Sequence, residues 1–159
     1  MHVTFAPRGI LQIDDARIVY RNFAGVGGKF NREGDRNFSL VIPDEDLRDR
    51  LLDEGWNVKS KPGRDEDDGD FMTLPVKVKF NDRGPNVYLR SGSRTVKLDE
   101  ETIGLLDDVD ILSVSMDIRP YDWDVNGKTG RTAYLQSIEV VQMLDRFAER
   151  LSGEEYPEE

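Results

Sequence analysis

The sequence predicts a mainly β fold with short helices, closing into a small barrel. Three observations carry that expectation. Several stretches alternate apolar and polar residues with the period of two that a half-buried strand requires. Asn126-Gly127 is a strong signal for a tight antiparallel hairpin between two of those stretches. Helical spacing of apolar residues is confined to short segments, so helices are accessories to the sheet.

In chain order, residues 1–9, with Pro7 and Gly9, read as an irregular lead-in. Ile10 to Phe23 reads as one long strand, with Ala16, Ile18 and Tyr20 on one face and Arg17, Val19, Arg21 and Phe23 on the other. A Gly-rich loop follows, and Arg36 to Ile42 returns as an antiparallel partner. Pro43-Asp-Glu-Asp opens a helix, its carboxylates at the end where the helix dipole favours them. Leu47, Leu51 and Leu52 give that helix an apolar side, and Gly55 ends it. Trp56 to Ser60 is a short extended piece. Residues 65–70 form an acidic loop that does not fit the spacing of a calcium-binding loop.

Met72 to Phe80 alternates most cleanly, with Met72, Leu74, Val76, Val78 and Phe80 inward and Lys77 and Lys79 outward. After a turn, Val87 to Arg90 places Tyr88 and Arg90 opposite Val87 and Leu89. Leu98-Asp-Glu-Glu opens a short helix carrying Ile103 and Leu106. Val109 to Trp123 is a long strand whose inner row is Leu112, Val114, Met116 and Ile118, and whose outer row ends in Arg119, Tyr121 and Trp123. Arg131 to Gln142 is the hairpin's return strand, and Met143 to Leu151 an amphipathic helix with Leu144, Phe147, Ala148 and Leu151 on its apolar side. Five or six mostly antiparallel strands and a long, bendable first strand fit a five-stranded Greek-key barrel of the OB type with extensions. The expected division is one domain over residues 1–151 and a flexible acidic tail over 152–159.

Composition removes several function classes. At 159 residues the chain suits a single domain with a real core. It has no Cys and only one His, His2, so zinc ribbons, disulfide scaffolds, thiol nucleophiles and histidine catalysis are not expected. No cofactor is expected. The apolar runs are far shorter than the roughly 18 residues of a membrane span. The N-terminus lacks the layout of a signal peptide, which points to the cytoplasm. The net charge of -10 is unusual for a nucleic-acid binder. Its carboxylates, however, cluster at 44–54, 65–70, 99–101 and 154–159, which leaves the strands carrying mostly Lys and Arg.

The stretch Arg21 to Ile42 holds Gly25, Gly27, Gly28 and Gly34, interleaved with Lys29, Arg32 and Arg36 and the rings of Phe23, Phe30 and Phe38. Cations that meet phosphates and flat rings that stack on unpaired bases are the chemistry of single-strand binding. An ordinary solvated turn, with Phe38 facing the core, is the plainer alternative. A phosphate-binding P-loop is excluded, because Gly28-Lys29 is followed by Phe30 where the motif needs Ser or Thr. Outward cations and rings recur at Lys77, Lys79, Tyr88, Arg90, Arg119, Tyr121 and Trp123, and Trp56 is a further candidate ring. Two rival classes remain open at this level. One is a metal-dependent nuclease using Asp117, Asp122 and Asp124; the other is a non-catalytic accessory domain that binds another protein.

The segments Ile18-Val-Tyr-Arg-Asn-Phe-Ala-Gly, Lys29-Phe-Asn-Arg-Glu-Gly-Asp-Arg-Asn-Phe-Ser-Leu, Gly55-Trp-Asn-Val-Lys, Arg119-Pro-Tyr-Asp-Trp and Ala133-Tyr-Leu together resemble the phage-type single-stranded DNA-binding proteins with an OB fold. The resemblance spans roughly residues 10 to 140. It implies a replication and recombination accessory that coats single strands without chemistry and largely without regard to sequence, in the cytoplasm of a bacterial host. It also implies partners: single-stranded DNA, and a polymerase or helicase recruited through the acidic tail; a second copy in a homodimer is a separate expectation that the resemblance does not carry. The tail ends Tyr156-Pro-Glu-Glu159 and lacks the terminal Phe that such tails carry, which leaves its partner open. In this scheme Lys29, Arg32, Arg36, Lys77, Lys79, Arg90 and Arg119 neutralise phosphates, while Phe30, Trp56, Tyr88, Tyr121 and Trp123 stack on bases.

Overall fold

The structure, a computed structural model, describes residues 1–65 and 69–144. Its elements in order are β1 (His2–Phe5), β2 (Leu11–Asp14), β3 (Ile18–Asn22), β4 (Arg36–Ile42), α1 (Glu45–Asp53), β5 (Lys59–Lys61), β6 (Phe71–Val78), β7 (Asn86–Ser91), β8 (Arg94–Leu98), β9 (Ile111–Val125) and β10 (Lys128–Gln142). The mainly β expectation holds, but the described residues form ten strands rather than five. The additional strands are short ones, such as β1 and β5, whose pairing comes from their neighbours. β8 shows why they escape a pattern search: four of its five residues are exposed and only Leu98 is buried.

The main ladder runs β1-β2-β9-β10-β6-β4-β3. The long first strand exists in two halves, broken at Asp15, which has φ +54°. The first half, β2, pairs with β9, and the second half, β3, pairs with β4. Across the bend, Ala16 N–H donates to the Val114 carbonyl at 2.8 Å, and Val41 N–H donates to the Arg17 carbonyl at 2.9 Å. The ladder therefore stays open at the bend while the covalent chain joins its two walls. That is how one bendable strand serves both sides of a small barrel. On the other side, β10 pairs with β9 along its length. Its second edge takes β6 in parallel at Ala133–Tyr134 and then, beyond Gln136, β7 in parallel at Ser137–Val141.

Alternation along these strands sends one row inward. Phe38, Leu40 and Ile42 of β4, Leu74, Val76 and Val78 of β6, Val114, Met116 and Ile118 of β9 and Ala133, Leu135, Ile138 and Val140 of β10 are all buried. Leu112, expected in the inner row, is 62% exposed. The pairing steps from Val141↔Ser113 to Gln142↔Ile111, so Leu112 is the unpaired residue of a bulge and turns out. A second irregularity between Val19 and Asn22 overturns the expected faces of the first strand. Tyr20 takes φ +54° there and swings out to 59% exposure. Phe23 ends fully buried, stacked on Phe38 at 5.1 Å and 24°.

Helix α1 starts where expected. Asp44 caps it by accepting the Leu47 N–H at 2.8 Å, and Glu45 and Asp46 occupy its first turn. Leu51 is buried and Leu47 packs on the core, but Leu52, a further 100° round the helix, is half exposed. Leu98 closes β8 instead of opening a helix. The helical turn beyond it is a 3-10 segment, Ile103–Asp107, which buries Ile103 and Leu106. Met143 and Leu144 are not helical. The remainder of the expected final helix and the acidic stretch 152–159 lie outside the described residues.

Candidate nucleic-acid interface

The inward row of β6 fixes its outward row as Phe71, Thr73, Pro75 and Lys77. Residues directly opposite each other in a ladder share a face, so the register locates the neighbours of Lys77. Asn37 of β4 lies on one side and Tyr134 of β10 on the other. Tyr134 in turn sits opposite Arg119 of β9. Lys77, Tyr134 and Arg119 thus stand in one row across three strands spaced about 4.8 Å apart.

The rings and cations of that row touch. The Arg119 guanidinium carbon is 4.9 Å from the centroid of the Tyr134 ring. Tyr121, two residues along β9 on the same face, meets Tyr134 edge-on at 6.0 Å and 83°, and is 55% exposed. Trp123 follows, 37% exposed, directly across from Gly130. A Cβ at Gly130 would overlap the Trp123 indole, so the glycine lets this ring lie flat against the β10 backbone. Lys77, Pro75, Trp123, Gly130 and Thr132 line one groove of about 360 Å³. At its other end Lys79 and Arg119 line a second cleft, of about 530 Å³, together with Arg83. Tyr134, at the centre of the arrangement, is missing from the sequence-level set of stacking rings. Its signal was present: Ala133 and Leu135 are apolar, and alternation puts Tyr134 on the opposite face.

The Gly-rich loop is held by its own polar side chains. The Asn31 amide donates to the carbonyls of Val26, Arg32 and Asp35, and Gly27 N–H donates to the Glu33 carboxylate at 2.6 Å. The fixed loop presents Phe30 at its tip, 93% exposed, with the Lys29 ammonium 5.5 Å from the ring centroid. Asn37, next to Lys77 in the ladder, donates to Asn31, so the loop is rooted beside the row. Arg32 is exposed. Arg36 is committed to structure: its guanidinium donates to the Phe23 carbonyl at 2.6 Å and lies over Phe80. Arg21 likewise donates to the Leu106 and Val109 carbonyls.

Three expectations need correction. Trp56 is 2% exposed, lies in the core and has the Arg131 guanidinium 5.3 Å from its ring, so it backs the groove and cannot stack on a base. The ring of Phe23, part of the loop's apparent aromatic set, is likewise core. Tyr88 and Arg90 do face outward but stand apart from the row, beside Glu139 and Val141. Those partners are five and seven residues beyond Tyr134, roughly 17–23 Å along the strand.

The three carboxylates of a nuclease reading do not converge. Asp117 shares its face with Arg119 and Tyr121 and accepts from the Ser137 hydroxyl at 3.4 Å. Asp122 and Asp124 alternate to the other face. Asp122 is bound to Arg131 at 2.7 Å, and that hydrogen bond holds its carboxyl below the usual range while raising the guanidinium. Among the described residues no group of three or more His, Cys, Asp or Glu is placed to hold a metal ion. Nor is any helix there long and apolar enough to cross a membrane.

Residues 2–155 match the family described as "Putative phage ssDNA-binding domain". No curated protein matches the sequence. Among solved structures, the chain is similar to the C-terminally truncated single-stranded DNA-binding protein from bacteriophage Enc34. The identity is 15%, 90% of this chain and 91% of that one are covered, and the TM-score is 0.57. It is also similar to the Enc34 protein in complex with ssDNA, at 15% identity, with 91% and 93% covered and a TM-score of 0.54. At this identity the likeness establishes a shared fold.

Proposed function

The chain belongs to the phage ssDNA-binding domain family, and on that footing we propose that it coats single-stranded DNA through the outer face of β6, β9 and β10. The observation that carries the reading is the row of Lys77, Tyr134 and Arg119, continued by Tyr121 and Trp123 on the same face. Lys77 and Arg119 meet phosphates there, and exposed rings present flat faces to unpaired bases. Stacking accepts any base, so binding is largely independent of sequence. Lys29, Phe30 and Arg32 close over the strand from the loop, and Lys79 extends the cationic edge.

The reading contains no catalytic step and places the protein in phage replication and recombination, in the cytoplasm of the host. It assigns residues 1–151 to the DNA-binding domain. The stretch 152–159, with Glu154, Glu155, Glu158 and Glu159, is assigned to recruiting a polymerase or helicase. Titration of one oligonucleotide, single-stranded and then annealed to its complement, tests the core of this. Tight binding to the single strand and weak binding to the duplex are expected. Equal affinity for both, or none for either at low salt, would overturn the reading. Cleavage that required magnesium and vanished in Asp117→Asn would replace it with a nuclease.

A further inference from the structure

We infer that the DNA track does not end at the Lys77 row but runs along β6 to a second aromatic station made by Tyr20, Lys61 and Phe71. The inference rests on the single-strand reading above. Phe71, Thr73, Pro75 and Lys77 alternate along the outer side of β6, so Phe71 lies six residues, about 20 Å, from Lys77, with buried Thr73 and half-buried Pro75 between them. β5 brings its own cations to that surface: Lys59 is opposite Thr73 and Lys61 opposite Phe71. Both lysines are exposed.

Tyr20 completes the station. Its ring packs edge-on against Phe71 at 6.5 Å and 86°, and the Lys61 ammonium lies 5.6 Å from its centroid. The ring is nevertheless 59% exposed. It reaches this place only because Tyr20 adopts φ +54° in the bulge between Val19 and Asn22. A tyrosine is an unfavourable residue in that conformation, and backbone strain of this kind clusters at sites of function.

The charge around the station sets how it grips. β5 and β6 are joined through residues 62–70, and five of the six residues from 65 to 70 are acidic. Of that run, Asp70 directly precedes Phe71 and Asp65 lies four residues beyond Lys61, so negative charge stands next in sequence to the strands that form the station. The second station therefore contributes through stacking, whereas the Lys77 row contributes through both charge and stacking. Its effect should be nearly independent of salt, because few counterions are released there.

Tyr20→Gly tests this, since glycine removes the ring while accepting the backbone conformation, and melting confirms that the variant is folded. Against thymidine oligomers, the variant should lose roughly tenfold in affinity for a strand of about 16 nucleotides and nothing for one of about 4. Tyr20→Phe should restore the loss. Unchanged affinity for the long strand in folded Tyr20→Gly would overturn the inference, and so would an equal loss on both lengths. Lys77→Ala on the short strand separates the two readings. A loss there with no Tyr20 effect removes only the second station, whereas no loss there removes the interface itself.

Discussion

The wall formed by β6, β9 and β10 and the loop over residues 23–35 both carry cations and rings, yet they are built on different physics. In the wall, strand period and ladder register decide direction except where a bulge shifts the parity. Once Val76 and Leu135 are inward, Lys77 and Tyr134 must be outward and adjacent. In the loop no period applies, and each side chain points where local hydrogen bonds leave it. Phe23 and Phe30 are seven residues apart in one Gly-rich stretch, and one is fully buried while the other is 93% exposed. The cations divide the same way: Arg32 in the loop is exposed, while Arg36, where the loop enters β4, is tied to the Phe23 carbonyl. A cation or ring in the wall is thus held on a face that the ladder fixes. In the loop, the same residue type is as often a piece of the scaffold.

The largest expected effect falls on the back of the wall. Trp56→Ala should cost about 3–5 kcal/mol of stability, seen as a lower melting temperature, because the ring is enclosed by core. A variant that melts normally but binds DNA poorly would show that Trp56 belongs to the interface after all. On the front, Tyr134→Ala should weaken single-strand binding by about 1–3 kcal/mol while changing the melting temperature little. The opposite pattern would make Tyr134 a packing residue. At the loop tip, Phe30→Ala should cost about 1 kcal/mol of affinity and no stability, since that ring lies almost wholly in solvent beside Lys29. If its loss exceeded that of Tyr134→Ala, the ranking of wall over loop would be reversed.

The smallest effect belongs to Asp122 and Arg131. The folded carboxyl of Asp122 titrates below its unfolded value, so the pair's contribution is present at neutral pH. It fades only as the pH falls below about 4 and through the folded value. Asp122 is largely exposed, so Asp122→Asn should cost under about 1 kcal/mol of stability at neutral pH. The difference from the parent should vanish in acid. A difference that grew in acid would contradict this.

Most of the wall was legible in the sequence because alternation is a local rule. Met72 to Phe80 and the hairpin at Asn126-Gly127 were placed with little more than a period of two and a turn signal. What escaped was set by contacts that no local pattern encodes. Leu112 and Tyr20 left their expected faces because bulges shift the parity of a strand. Trp56 follows a helix-ending Gly55 and reads as an exposed extended residue, but the core behind the β9–β10 hairpin encloses it. Alternation gives Tyr88 and Arg90 the correct face but not their distance from the row, which depends on where β10 exchanges β6 for β7.

Charge reversal in the wall tests the interface most directly. The double variant Lys77→Glu with Arg119→Glu should lose roughly a hundredfold or more in affinity for single-stranded DNA at low salt. Arg94→Glu, on the exposed strand β8 away from the row, should bind like the parent and serves as the control. Loss in the double variant alone is the predicted result. Equal affinity in the folded double variant, or an equal loss in both, would mean that the DNA lies elsewhere.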